Sequence, residues 1–151
     1  MRGRLVVLTV ALLVTGCAEG GGDGVPDACL EGPETVLTAL RQAPDAVTLA
    51  DGTRLSSCVG SARTEGELQS LGIVFVRVAD ALRRNAATRP DAALRLGYLS
   101  GAVKAGATRS SGAVAAQLAR RVQQVATLDQ GASPASVAAL ARGRGAGERR
   151  G

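Results

Sequence analysis

The chain has 151 residues, 46% of them hydrophobic but only 1% aromatic, with one Phe, one Tyr and no Trp. A chain of that length holds about one domain with a modest core, and this core has to be built from Leu, Val and Ala, side chains that suit closely spaced helices. Histidine is absent, which removes the commonest general base and the commonest metal ligand together, and the formal net charge is only +5. Setting aside Arg2 and Arg4 leaves 16 basic against 13 acidic residues, or +3. All the basic residues but Lys104 are Arg; with so much Ala and Gly, this usage reads as the coding bias of a GC-rich genome, and a mild excess of charge speaks to non-specific adhesion rather than to a site.

Residues 1–16 read in three parts: a basic start (MRGR), an apolar run over residues 5–14 (LVVLTVALLV), and the small residues Thr15 and Gly16. This is the layout of an export signal. Ten apolar residues are too few for a helical membrane span, which needs roughly 20. The four residues Val14-Thr15-Gly16-Cys17 resemble the lipobox of bacterial lipoproteins, an aliphatic residue, a small one, Gly or Ala, and then Cys. The resemblance covers about the first seventeen residues. It implies that Cys17 carries a thioether-linked diacylglyceryl group and that a signal peptidase cuts between Gly16 and Cys17. A thiol is the natural nucleophile for such an alkylation, and two acyl chains hold a protein at a membrane where one is marginal. The competing account is an ordinary secretory signal with a coincidental Cys17. Residues 18–24 (AEGGGDG) have no side chains with which to pack, so residues 17–32 are expected to be a lipidated Cys and flexible tether.

With Cys17 taken by lipid, Cys29 and Cys58 remain, and an even remainder in an exported chain points to one disulfide. Closing a loop of about 30 residues contributes about 3.6 kcal/mol in the chain-entropy account. Two free thiols are the alternative; a redox or metal pair is disfavoured by spacing far from CxxC and by the lack of His.

The folded part is expected over residues 33–128. Pro33, Glu34 and the apolar Val36, Leu37 and Leu40 predict a short helix near 33–42, ended before Pro44. The alternation of Val47, Leu49, Thr53 and Leu55 around Asp51-Gly52 predicts a β-hairpin near 46–58. Thr64 and Glu67 have capping-box spacing, and Leu68, Leu71, Phe75, Val78 and Leu82 follow at steps of three and four, so a long helix is expected there with Glu65, Gln69, Arg77, Arg83 and Arg84 on its solvated side. Arg89-Pro90 breaks the pattern and Asp91 starts another helix with a stripe of Leu96, Leu99 and Val103, and Val114, Leu118, Val122 and Val125 mark a third near 111–128. From Asp129 the pattern fades; residues 133–141 could form one or two turns, and the Arg- and Gly-rich end is expected to be mostly disordered over 129–151. The fold class expected is all-α: a small antiparallel helical bundle with a short N-terminal β-hairpin and one disulfide.

No chemistry-bearing constellation stands out. Gly97 and Gly101 form a GxxxG that reads as close helix packing, since Arg95 and Lys104 beside it do not suit a membrane span. Tyr98 reads as a core residue with its hydroxyl at the rim. Ser56, Ser57, Ser110 and Ser111 lack a base, Lys104 stands alone, and Asp80, Glu65 and Glu67 have no evident pocket. No catalytic residue, metal site or cofactor is expected. The mature part is similar in type to uncharacterised small lipoproteins of GC-rich bacteria. The function expected is a lipid-anchored protein at the extracytoplasmic face of the cell membrane, a non-enzymatic binding or structural module. Its expected partners are the membrane, through the lipid on Cys17, and another envelope protein or wall polymer; export leaves nucleic acid out. The alternative is a small lipid or small-molecule carrier, in which the apolar stripes open around a ligand.

Overall fold

Local sequence rules account for where four of the helices begin. In a computed structural model, residues 24–110 and 112–151 are described, and among them lie six α-helices: α1 (Pro33–Ala39), α2 (Leu55–Gly60), α3 (Glu65–Ala86), α4 (Pro90–Arg109), α5 (Ala113–Val125) and α6 (Pro134–Arg150). Proline occupies the first turn of α1, α4 and α6, where its missing N–H costs nothing. The capping box of α3 is formed: Thr64 Oγ1 accepts from Glu67 N–H at 3.2 Å and the Glu67 carboxylate accepts from Thr64 N–H at 2.9 Å.

The centre of the molecule is α4. Every residue from Leu96 to Val103 is buried, so this helix has no solvated stripe along that stretch and serves as the axis on which α2, α3, α5 and α6 lean. The connection of residues 87–89 returns α4 along α3. Gly72 lies beside Leu118 and Arg83 pairs with Asp129 at 3.4 Å; both pairs are 46 residues apart, so α3 and α5 run parallel.

The closest seam joins α4 to α6, and it too is parallel. The backbone at Gly97 faces Leu140 and Arg144, and one turn on, Gly101 faces Arg144 and Glu148. Reciprocally, Gly143 faces Leu94 and Tyr98, and Gly147 faces Tyr98 and Ala102. A Cβ at any of these four glycines would collide with a backbone carbonyl oxygen of the other helix, which makes the absence of a side chain a steric requirement. Backbones this close bring Cα–H groups onto facing carbonyls, a weak attraction repeated at every turn.

Three expectations are corrected. The flexible tether expected over residues 17–32 is fixed in its described part: Asp27–Cys29 form a turn of 3-10 helix, with Ala28 and Cys29 buried. The hairpin near 46–58 is not formed. Asp51 and Gly52 do make a tight turn, with Gly52 at φ +84° and the Asp51 carboxylate accepting from Thr53 N–H at 2.9 Å, but pairing stops at a single bridge, Thr48 to Arg54. Leu55, Cys58 and Val59 stand at helical spacing and are all buried, and burying them as the face of α2 wins over extending a second strand. The end of the chain, expected to be mostly disordered over 129–151 with no more than one or two turns over 133–141, is helical from Pro134 to Arg150. Each glycine in a helix costs about 1 kcal/mol relative to alanine; the seam with α4, which only glycine permits, offsets that cost. Ser133 caps this helix, and its N–H donates to the Ala87 carbonyl at 2.9 Å, fixing the start of α6 against the turn between α3 and α4.

The remaining core is a single cluster of Leu, Val and Ala with Phe75 and Tyr98. Cys29 and Cys58 lie inside it, fully buried and joined as a disulfide with their Cα atoms 5.8 Å apart, which ties the segment before α1 to α2.

Candidate functional site

Cys17 and the Gly16–Cys17 bond lie outside the described residues, so the site nearest to them is the place where the chain joins the domain. Glu67, one turn into α3, organises it. Besides Thr64 N–H, its carboxylate accepts from Arg63 N–H at 2.8 Å, from Thr64 Oγ1 at 3.1 Å and from Val25 N–H at 3.3 Å. Donors that favour the ionised form, first the Arg63 amide and then that of Thr64, hold this carboxyl below the usual carboxylate range. Four residues after Val25, the disulfide at Cys29 fastens the same segment to α2. The chain between Cys17 and the domain therefore ends on two fixings, one polar and one covalent.

The other titratable candidates are placed apart from one another. The Lys104 ammonium is paired with Glu148 at 2.8 Å across the α4/α6 seam. Tyr98 is fully buried, not at the rim; its hydroxyl accepts from Val47 N–H at 3.0 Å, closing the loop before α2 onto α4, and burial raises its pKa above the ordinary phenol value. Ser56 is buried, donating to the Gly151 carbonyl oxygen and accepting from Arg109 Nη2 at 2.5 Å; no base accompanies it. Asp80 and Glu65 are exposed, Ser57 and Ser110 are half-buried, and Ser111 lies outside the described residues. Among the described residues no group of three or more Cys, Asp and Glu could hold a metal ion, and no helix is long and apolar enough to cross a membrane.

Two hollows on the surface of the described residues stand out. One of about 550 Å³ lies between α1 and the segment Thr48–Ala50, edged by Glu31 and Glu34. The other, about 790 Å³, is a groove between α3 and α5 with Leu68, Gly72 and Leu118 on its floor and Ile73, Val76 and Val114 along its sides. Ile73 is 58% exposed, the most exposed large hydrophobic residue among those described. Its signal was present in the sequence: Ile73 stands four residues after Gln69 and four before Arg77, in the middle of the face read as solvated. Comparison with known protein families, with curated proteins and with solved structures found no match.

Proposed function

We propose that the protein is an exported lipoprotein, anchored by acyl chains on Cys17 at the extracytoplasmic face of the cell membrane, and that its domain is a non-enzymatic binding or structural module. The observation that carries this reading is the lipobox-like Val14-Thr15-Gly16-Cys17 behind a basic start and a ten-residue apolar run. Support comes from the Cys29–Cys58 disulfide, a bond that persists in oxidising compartments outside the cytoplasm. The double fixing at Glu67 and Cys29 suits a domain held from its N-terminal end, since a pull on the tether is borne by a covalent bond into the core. Partners on this reading are the membrane and another envelope protein or a wall polymer. Fractionation of cells tests it: the wild-type chain is expected with the membranes and Cys17→Ala with the soluble material. A Cys17→Ala chain that stays with the membranes overturns the anchor.

A second reading, a carrier of a small lipid or other small molecule, is favoured by the α3/α5 groove, whose volume of about 790 Å³ falls within the usual range for ligand sites. The α4/α6 seam, with backbone against backbone, has no side chains to part around a ligand, so a carrier would use this groove. Native mass spectrometry separates the two: a reproducible co-purifying ligand selects the carrier, and a clean apo mass rejects it.

A further inference from the structure

We infer that the α3/α5 groove is a self-association surface, on which a second copy of this chain lays its α3 antiparallel to the first about a two-fold axis near Gly72. The groove has one acidic and one basic end. Glu65 marks the first, and Arg77 and Arg121 mark the second. Twelve residues of helix, about 18 Å, separate Glu65 from Arg77, and Arg121 belongs to the same end because α5 follows α3 in parallel. Among the described residues, none of these three makes an ion pair within the chain.

A face whose two ends carry opposite charge is complementary to itself turned through 180°, which is the requirement of an isologous contact. The midpoint between Glu65 and Arg77 is position 71. Beside it, Gly72 offers no side chain to hold two helices apart, and Ile73, with Val76 and Val114, supplies the apolar centre that exposure leaves uncovered. An anionic surface fits less well, because Glu65 would face it. A patch about 18 Å long yields an interface below the roughly 1,200 Å² of a standard stable complex, so the dimer is of the weak, transient class, to be caught by cross-linking rather than by sizing.

The test is cross-linking of the full chain in the cells that make it, with a short bifunctional maleimide. Ile73→Cys places a thiol next to the axis, and Val137→Cys, at a position 51% exposed on α6, is the control for random collision. Cys29 and Cys58 are buried in their disulfide and do not compete, and Cys17 is common to the test and control chains, so any yield through it is read in the control. The expected result is a homodimer yield from Ile73→Cys at least five-fold above the control. Adding Glu65→Arg should lower it at least three-fold, and adding Arg77→Glu and Arg121→Glu to that chain should restore it, because the reversed ends again attract. A yield no higher than that of Val137→Cys, a yield indifferent to Glu65→Arg, or an adduct with the mass of another molecule would overturn the inference. These residues are exposed helix positions, and each variant is first required to match the parent in far-UV circular dichroism. The inference does not depend on Cys17: the dimer is read in whichever fraction holds the chain, so loss of the anchor and loss of the dimer are separate results.

Discussion

Replacing Gly143 and Gly145 by alanine, one at a time, should move stability in opposite directions although the two lie two residues apart on α6. Alanine in a helix interior is favoured over glycine by about 0.8–1 kcal/mol. At Gly145 a new Cβ meets only the mobile end of Arg149, with Nη1 at 3.1 Å, so most of that gain is kept. At Gly143 the new Cβ would overlap the Leu94 carbonyl oxygen and come within 3.0 Å of Tyr98 N, both of them backbone that cannot rotate away. Relief requires α4 and α6 to part by about 1 Å, enough to forfeit a quarter to a half of each dispersion contact along the seam. Overpacking of this kind costs about 1–3 kcal/mol, and with rigid atoms on both sides the upper end applies. After subtracting the helix gain, Gly143→Ala is expected to destabilise by about 2 kcal/mol and Gly145→Ala to stabilise by just under 1. Urea unfolding followed by far-UV circular dichroism measures both. If Gly143→Ala proved as stable as Gly145→Ala, α6 would not lie backbone to backbone on α4, and the end of the chain would revert to a loose tail.

Loss of the disulfide in Cys29→Ser should lower unfolding free energy by about 3.6 kcal/mol for a bridge spanning 29 residues, read as a fall in the urea midpoint; an unchanged midpoint would mean that the bridge contributes little. Tyr98→Phe removes the partner of the buried Val47 N–H and should cost about 1–3 kcal/mol in the same assay, whereas a neutral outcome would show that this loop is not closed onto α4. The pH dependence has a definite sign: burial raises the Tyr98 pKa in the folded chain, so the unfolded chain loses its proton first, and the stability from this group is complete below the unfolded value near 10 and is lost as pH climbs toward the folded one. Because Tyr98 is the only tyrosine, absorbance at 295 nm follows it directly; its ionisation should lie above that of free tyrosine and fall to the ordinary value in denaturant.

The parts of the fold written in local patterns were legible. Thr64, Glu67 and the apolar steps to Leu82 specify α3 without reference to anything distant, and the GxxxG of Gly97 and Gly101 announced a close helix contact. The partner of that contact was not recognised, because Arg and Gly together resemble a disordered tail; the four-residue spacing of Gly143 and Gly147, which matches that of Gly97 and Gly101, was the available signal. Asp51-Gly52 correctly marked a turn, but burial decides which element the chain enters after a turn, and Leu55, Cys58 and Val59 fit a helix face better than one side of a strand. The Tyr98 hydroxyl finds Val47 across 51 residues, a relation that no local pattern expresses. The disulfide was legible by counting. The groove was not, since an apolar residue on a polar helix face acquires meaning only when α5 stands beside it.

The proposed anchoring rests on Cys17, and the most direct measurement is the intact mass of the protein recovered from cell envelopes, before and after reduction. A mass that begins at Cys17, carries a diacylglyceryl increment and gains two hydrogens on reduction is the predicted result. A mass that includes residues before Cys17, or that begins there without lipid, would contradict the anchor, and a mass unchanged by reduction would contradict the disulfide.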